Sequence, residues 1–370
     1  MTRRTAAAML GSAALSQQAG SAQTSMKPVR VVVAGLVHGH AAGFFNRAKN
    51  RPEIDVAGVV EANRAVGQRY AKQFFPHDAS LLQTDLAATL DRVKPEAVLG
   101  FTNTFDHLEL VRTCADRKIH VMVEKPLAIS KEHGFAIAQL ARQAGIHILV
   151  NYETTWYPSM YQLKQMLDSD AIGPVRKLVV RDGHKGPAEI GVPPEFLDWL
   201  TDPKRNGAGA LFDFGCYGAD LATWIFQETP VAVTAVTQQL KPSVYSRVDD
   251  DATILLQYSK AQVVIQASWN WPYSRKDLDA YGANGYILAP NRQTLLVRKG
   301  DAPESTLPVG PLTNEHKDEI AYLYSVVRGG KETSALSSLE TNLIVTEILD
   351  AARESAQRGV TVKLERSRLA

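Results

Sequence analysis

Cysteine is scarce in this chain of 370 residues, and neither sign of charge predominates. Only Cys114 and Cys216 are present, and they fall in different predicted domains, so a disulfide framework or a metal site is not expected. Lys and Arg together number 41 against 39 for Asp and Glu, without a basic cluster. Nucleic-acid binding is therefore not expected, because phosphate contacts need a concentrated positive surface. No apolar run approaches the roughly 20 residues that a membrane-spanning helix needs.

The first 25 residues differ in composition from the rest of the chain. Arg3 and Arg4 precede a weakly apolar stretch over residues 6–15, and small residues follow through residue 22. This order is typical of an export leader, and the paired arginines suggest the twin-arginine route, although alanines stand where Phe or Leu is usual. We expect residues 1–25 to be a leader that is disordered or removed, on a periplasmic or otherwise exported protein. The alternative is an unstructured tail on a cytoplasmic protein.

Apolar runs alternate with helix-like segments up to residue 150, and this alternation predicts βαβ units in a parallel sheet. After Asn151 the chain is richer in β-like runs, which is typical of an antiparallel sheet with one buried face. The sequence therefore predicts an α/β protein with a Rossmann-type domain over residues 26–150. A C-terminal α/β domain over residues 151–370, on an open and mainly antiparallel sheet, is expected to bind substrate. Because an exposed sheet face usually needs covering, a homodimer or homotetramer is expected.

A glycine-containing turn separates the first predicted strand from the first helix. Over residues 35–40 it reads Gly-Leu-Val-His-Gly-His, whereas dinucleotide-binding turns read G-x-G-x-x-G. The strand before it and the helix after it still place free N–H groups where a phosphate can bind. Local packing at the helix start is the alternative for the two histidines. The residues expected to contact a cofactor here are Gly35, Val37, His38, Gly39 and His40.

Glu61 lies at the end of the second predicted strand, 26 residues after Gly35. A carboxylate in this position accepts hydrogen bonds from the ribose 2′-hydroxyl of NAD and repels the 2′-phosphate of NADP. Arg64 is close enough in sequence to bind that phosphate instead. NAD is therefore the expected cofactor, with NADP possible, and a solvated loop acid is the alternative for Glu61.

The apolar run over residues 121–123 ends abruptly in Glu124-Lys125-Pro126. In an open parallel sheet, ligands bind beyond the carboxyl ends of the strands. Pro126 restricts the backbone of Lys125, so the lysine side chain leaves the strand in a defined direction. The pattern indicates a lysine that points at a ligand, and a solvated lysine is the alternative.

Together with two further motifs, this segment resembles the glucose–fructose oxidoreductase, inositol dehydrogenase and rhizopine-catabolism family, Gfo/Idh/MocA. The resemblance covers roughly residues 28–364 and rests on Glu124-Lys125-Pro126, the segment 102–107 and the segment 207–220. It implies that the cofactor is lined by Thr102, Asn103, His107, Glu124 and Lys125. Asn103 stands where the family usually has proline, while His107 keeps the family's histidine.

The family's second motif reads D-x-G-x-H-x-x-D, and Asp213 and Asp220 match its two acids. Tyr217 replaces the motif's histidine, as it does in some relatives. The resemblance implies that Lys125, Asp213 and Tyr217 are catalytic, with Tyr217 exchanging a proton with the substrate. A free tyrosine titrates near 10, so the hypothesis requires Lys125 to lower the pKa of Tyr217. The alternatives are a packing role for Tyr217 and a helix cap for Asp213.

Aromatic and polar side chains after residue 151 are suited to a sugar or polyol, whose C–H face stacks on an aromatic ring. Core or subunit packing is the alternative. The residues expected to bind substrate are Lys125, Tyr152, Trp156, His184, Asp213 and Tyr217.

We therefore expect a nicotinamide-dependent oxidoreductase that transfers a hydride between NAD(P) and a hydroxyl group of a sugar, polyol or related compound. One alternative is a glycosidase-like hydrolase or lyase that uses bound NAD catalytically. Another is a non-catalytic sugar sensor, although a sensor has no need for the lysine at position 125.

Overall fold

The computed structural model describes residues 27–365, so the predicted leader over residues 1–25 lies outside the described residues. The chain begins with alternating strands and helices. Their bounds are β1 (Val29–Ala34), α1 (His40–Ala48), β2 (Ile54–Val60), α2 (Arg64–Phe74), β3 (Leu82–Gln83), α3 (Leu86–Val93), β4 (Ala97–Gly100), α4 (His107–Ala115), β5 (His120–Glu124), α5 (Lys131–Ala144) and β6 (Ile148–Asn151).

These six strands form one parallel sheet in the order β3-β2-β1-β4-β5-β6. This is the strand order of a Rossmann fold, whose ligand crevice lies where the order reverses, between β1 and β4. The prediction of a Rossmann-type parallel sheet is confirmed.

The remaining part of the described chain contains the antiparallel strands. Its elements are α6 (Pro158–Asp168), β7 (Val175–Gly183), α7 (Pro194–Leu200), α8 (Pro203–Asn206), α9 (Ala210–Asp213), α10 (Gly215–Phe226), β8 (Ala232–Gln238), β9 (Asp251–Gln257), β10 (Gln262–Ser268), β11 (Arg275–Gly282), β12 (Gly285–Asn291), β13 (Thr294–Lys299), β14 (Ser305–Pro308), α11 (Glu319–Gly329), α12 (Leu339–Arg358) and β15 (Val362–Lys363).

Nine of these strands form the second sheet, in the order β14-β13-β12-β11-β7-β10-β9-β8-β15. All neighbours pair antiparallel except β7 and β10, which are parallel, so the predicted mainly antiparallel sheet is confirmed. Helices α10 and α12 cover its inner face. The other face exposes apolar side chains such as Val236 and Leu255, and its covering by a second subunit stays a prediction.

Helix α11 returns from the C-terminal part of the chain to the first sheet. Ile320 and Leu323 of α11 share a buried cluster with Val31 and Val33 of β1, on the face opposite α4 and α5. The two parts of the chain are therefore joined by a common core. No helix within residues 27–365 is long and apolar enough to cross a membrane.

The guanidinium group of Arg51 also connects the first sheet to the start of α11. Arg51, in the loop before β2, donates to both oxygens of Glu53 at 2.9 and 3.0 Å and to both oxygens of Asp318 at 2.8 and 3.1 Å. Asp318 also caps α11 by accepting from the N–H of Ala321. The hydrogen bonds from Arg51, opposed by burial and supported by Lys317, lower the pKa of Glu53 from 4.5 to about 2.

We predict that Arg51→Met lowers the free energy of unfolding by about 2–3 kcal/mol at neutral pH, because it removes the guanidinium partner of two carboxylates and leaves only Lys317 beside Glu53. A folded-state pKa of Glu53 near 2, below its unfolded value of 4.5, gives stability that is complete above that unfolded value and is lost as the pH falls towards 2. The difference between wild type and variant should therefore shrink below about pH 4.5. Urea unfolding between pH 7 and pH 3 measures it.

The matched control is Arg112→Met, which removes a surface pair with Glu109 whose side chain is 74% exposed. This variant should change stability by less than about 1 kcal/mol. A stability loss in Arg51→Met that stays constant down to pH 3 would contradict the assignment to Glu53 and Asp318.

Candidate active site

A buried ion pair joins the carboxyl end of β5 to the short helix α9. The Lys125 side chain, 6% exposed, donates from Nζ to the Asp213 carboxylate at 2.6 Å and to the Asp213 backbone carbonyl at 2.8 Å. The second carboxylate oxygen of Asp213 accepts from the indole N–H of Trp269 at 2.9 Å. The peptide bond between Lys125 and Pro126 is cis. Two of the three residues that the sequence analysis expected to be catalytic, Lys125 and Asp213, thus lie in direct contact.

Both members of this pair are charged. Burial opposes the charged form of Lys125, but the neighbouring carboxylate outweighs it and raises the pKa of Lys125. Burial likewise opposes the charge on Asp213, and Lys125 outweighs it, so the pKa of Asp213 is lowered. The site therefore presents a protonated lysine whose charge is balanced locally.

Tyr217 follows Asp213 in the family's motif and lies in the first turn of α10. Its ring is buried close to two ammonium groups, with Lys125 Nζ 5.1 Å and Lys276 Nζ 4.1 Å from the ring centroid. Burial raises the pKa of Tyr217 well above its usual value, and this effect exceeds the opposing effect of Lys125. Lys125 does lower the pKa of Tyr217, as the hypothesis requires, but burial outweighs this effect, so the expected net lowering of the pKa is not found. The phenol keeps its proton and can act as a donor.

Lys276 is a site residue that the sequence analysis missed. It lies on β11, and its Nζ donates to the Glu153 carboxylate at 2.8 Å and lies 3.9 Å from that of Asp182. Glu153 also accepts from the hydroxyl of Tyr157 at 2.7 Å. The sequence does not indicate this strand, because Arg275, Asp277 and Asp279 interrupt its apolar pattern and charged residues are typical of a loop. In the structure the two acids are buried against Arg181.

A cavity of about 900 Å³ opens above these groups, between the two sheets. The carboxyl end of β5, the residues after β7 and the start of β11 all reach it. Side chains that line it include Lys125, Tyr157, His184, Phe196, Tyr217 and Lys276. It combines charged and aromatic groups at the ligand-binding edge of the parallel sheet.

The predicted substrate residues divide into lining and supporting positions. His184 lines the cavity, and burial lowers the pKa of its imidazole. Tyr152 is fully buried behind the cavity wall. Its ring packs edge-on against Tyr217, with ring centroids 5.4 Å apart, and its hydroxyl donates to Asn342. Trp156 lines a neighbouring recess of about 290 Å³ and donates to Asn151 at 3.0 Å. Tyr152 therefore supports the site from behind.

The turn after β1 retains the steric features of a dinucleotide-binding turn at its first glycine. Gly35 has φ of +79°, and a Cβ there would lie 2.7 Å from the Thr102 side chain and 2.9 Å from its backbone N. Glu61 is buried and accepts from the N–H of Leu36 at 2.7 Å and that of Asn63 at 2.8 Å. Glu61 thus holds the turn in place from the end of β2, where the ribose of a bound dinucleotide would lie.

The two histidines of the turn and Glu124 lie together. His40 Nδ1 lies 2.9 Å from Glu124 Oε2, and Glu124 Oε1 accepts from Asn151 at 2.9 Å. Burial opposes the charge on Glu124, but the imidazoles and these hydrogen bonds outweigh it and lower its pKa to about 2. His38 is buried beside Phe196, with ring centroids 4.8 Å apart.

Three predicted cofactor residues, Thr102, Asn103 and His107, lie in the segment after β4. His107 is buried, its Nδ1 lies 3.1 Å from the carbonyl oxygen of Leu127, and burial lowers its pKa to about 4. The neutral imidazole therefore donates to the turn that follows Lys125. Asn103 accepts from the N–H of Asp106 at 3.1 Å, so it initiates α4 where the family usually has proline. The side chain of Thr102 packs on Gly35.

The chain resembles known proteins in both of its parts. Residues 29–152 match the model of the GFO/IDH/MocA oxidoreductase family with an NAD-binding Rossmann fold, and residues 160–288 match that of a GFO/IDH/MocA C-terminal domain. A trans-1,2-dihydrobenzene-1,2-diol dehydrogenase of Xenopus tropicalis is 26% identical over 266 residues, which cover 69% of this chain and 76% of that protein. A myo-inositol 2-dehydrogenase of Thermotoga maritima is 26% identical over 280 residues, which cover 73% and 80%.

Among solved structures, an aldose-aldose oxidoreductase of Caulobacter crescentus in complex with glycerol superposes with a TM-score of 0.78 at 21% identity, covering 91% of this chain and 100% of that one. At this identity the likeness establishes the fold. The two family models together span most of the chain, and the Lys125 turn and the Asp213 motif meet in one site. The chain therefore belongs to the Gfo/Idh/MocA family of NAD-binding oxidoreductases.

Proposed function

We propose that the protein interconverts a hydroxyl and a carbonyl group on a sugar, polyol or related compound, with a nicotinamide cofactor. The observation that carries this proposal is the buried pair of Lys125 and Asp213 beside the protonated Tyr217, at the floor of the cavity. Dehydrogenases of a dihydrodiol and of myo-inositol are among its relatives, which supports a substrate that carries neighbouring hydroxyl groups.

The residues of the parallel sheet fit a dinucleotide. Gly35 adopts φ of +79° at a place where Thr102 leaves no room for a Cβ, as in the tight turn of a dinucleotide site. The positive end of the α1 dipole lies beside this turn, and Glu61 lies at the ribose end of β2. Val37 and His40 depart from the usual glycines of the turn. When bound, the nicotinamide would accept or supply the hydride.

The chain's own residues would handle the proton and hold the substrate oxygen. Lys125, kept charged by Asp213, can donate a hydrogen bond to that oxygen and stabilise negative charge on it. Tyr217 can donate its proton as a carbonyl becomes a hydroxyl, and the reverse reaction requires the phenolate, which rising pH favours. Lys276 and Glu153 supply further polar groups to the cavity, and Tyr157 and Phe196 supply apolar surface for the C–H face of a sugar.

We predict that Tyr217→Phe lowers kcat by about 10²–10⁴-fold, because it removes the proton donor and leaves the ring packing intact. In the oxidation direction, the wild-type rate should rise with pH through the neutral range, and the variant should lose this dependence. Tyr273→Phe, at an exposed tyrosine on the rim of the same cavity, is the matched control and should keep kcat within a few-fold. Full activity in Tyr217→Phe would assign the tyrosine to packing.

We also predict that the protein binds NAD about 30–150-fold more tightly than NADP, because the carboxylate of Glu61 repels a 2′-phosphate at a cost of about 2–3 kcal/mol. Titration of both cofactors by tryptophan quenching measures the ratio. Arg64→Met, at an exposed residue next to this acid, should leave NAD binding unchanged. Equal or tighter binding of NADP, weakened by Arg64→Met, would instead assign Arg64 as a phosphate ligand.

A panel of sugars, polyols and aryl glycosides tests the reaction itself. We expect reduced nicotinamide to form or disappear in stoichiometric amounts when substrate and added cofactor are mixed, and its absorbance measures this. Release of an aglycone without net change in the added cofactor would contradict net redox chemistry and identify a hydrolase or lyase that retains its NAD. Binding of a sugar without either change would identify a sensor.

A further inference from the structure

We propose that His38, His40 and Glu124 form a binding site for one divalent transition-metal ion at the edge of the active-site cavity. One potential ligand atom from each of the three lies within 4.8 Å of the other two. The proposal goes beyond the oxidoreductase function and does not depend on it. It also departs from the expectation, based on the two cysteines, that the chain has no metal site.

The fold brings the three side chains together from separate parts of the first sheet. The two histidines belong to the turn between β1 and α1, and Glu124 ends β5, two strands away in the sheet. His40 Nδ1 and Glu124 Oε2 are 2.9 Å apart. Ligands bound at about 2.0–2.2 Å to one ion lie roughly 3–3.5 Å apart. The spacing of this pair therefore suits a shared ion, and His38 offers a third ligand atom within 4.8 Å of both.

The side chain of His38 is almost completely buried, with 2% of the residue exposed. Its ring is held beside Phe196 and Trp199, with centroids 4.8 and 5.5 Å away. The lone pair of Nδ1 is engaged only by a 3.2 Å hydrogen bond from the N–H of His40, at the long end of the usual range. An ion can replace this contact while Nε2 keeps the proton.

The carboxylate is oriented by an outer set of hydrogen bonds, as in protein metal sites. Glu124 Oε1 accepts from the Asn151 side-chain amide at 2.9 Å, which leaves Oε2 directed at His40. The amide oxygen of Asn151 in turn accepts from the indole of Trp156 at 3.0 Å. Glu124 is thus fixed as a carboxylate with one oxygen committed and one available.

The chemistry of the donors selects the ion. Two imidazoles and one carboxylate suit Zn²⁺, Fe²⁺ or Co²⁺ and disfavour Mg²⁺ and Ca²⁺, which prefer oxygen ligands. Three protein ligands leave coordination positions open for water or for substrate oxygens. His40 lines the cavity and Glu124 precedes Lys125 in the chain, so these positions lie next to the proposed substrate site.

The proposal explains why the turn after β1 departs from the glycine pattern. His40 stands where a dinucleotide-binding turn has its third glycine, and its side chain reaches Glu124. A glycine there would provide no ligand. The same substitution that weakens the fingerprint thus completes the donor set.

Metal titration of the full-length chain without a histidine tag tests the site. After treatment with chelator, Co²⁺ is added and its visible d–d absorption is followed, and Zn²⁺ is titrated by calorimetry. We expect one ion per chain in the wild type. His40→Ala, at a partly exposed residue, and Glu124→Gln should each weaken binding by at least about tenfold to a hundredfold. His77→Ala removes an exposed histidine outside the cluster and should bind as the wild type does.

Thermal unfolding in the presence of chelator shows whether each variant is folded before titration. If Glu124→Gln is unfolded, His40→Ala alone tests the site. Absence of stoichiometric binding, or equal binding by wild type and His40→Ala, would overturn the proposal and leave a histidine–carboxylate ion pair only. NAD affinity of the chelated wild type, measured by tryptophan quenching, tests the nicotinamide function separately. NAD binding without metal binding would overturn the metal site alone.

Discussion

The ion pair between Lys125 and Asp213 is the contact on which the site depends. Burying an ammonium and a carboxylate is costly, and the cost is recovered only when each group is fully hydrogen-bonded. Here Asp213 uses both oxygens, one on the lysine and one on Trp269, while Lys125 also uses a backbone carbonyl. Because the lysine comes from the Rossmann part of the chain and its partners from the C-terminal part, the pair fixes the position of one sheet relative to the other.

Charge balance extends from this pair through the rest of the cavity wall. Lys276 is matched by Glu153, and the ammonium groups of Lys125 and Lys276 both lie close to the Tyr217 ring. Each cation is compensated by a nearby carboxylate, so neither stabilises a phenolate enough to overcome burial. The structure therefore prepares a proton donor and a charged lysine. Proton transfer in the opposite direction depends on pH and on the charge that a cofactor brings.

Several elements were accessible from sequence because their signal is local. The apolar runs of β1, β4 and β5 are buried on both faces, and the turn Glu124-Lys125-Pro126 follows one of them, so the sequence alone predicts the lysine at the ligand edge. Other elements gave no local signal. Strand β11 carries acids whose burial depends on Arg181 of a neighbouring strand, and α11 joins the first sheet although it is almost 170 residues away from β6 in the chain. Neither relation can be read from a window of neighbouring residues.

The sequence by itself determined the two sheets, because their hydrophobic periodicity is local. Its resemblance to the family, carried by three short motifs, pointed to the lysine, the aspartate and the tyrosine. The tertiary structure decided the protonation of Tyr217, the presence of Lys276, the supporting place of Tyr152 and the cluster of His38, His40 and Glu124. These features arise from distances between side chains that are remote in the chain. Burial and Coulomb interactions act through space, so only the folded arrangement sets their balance.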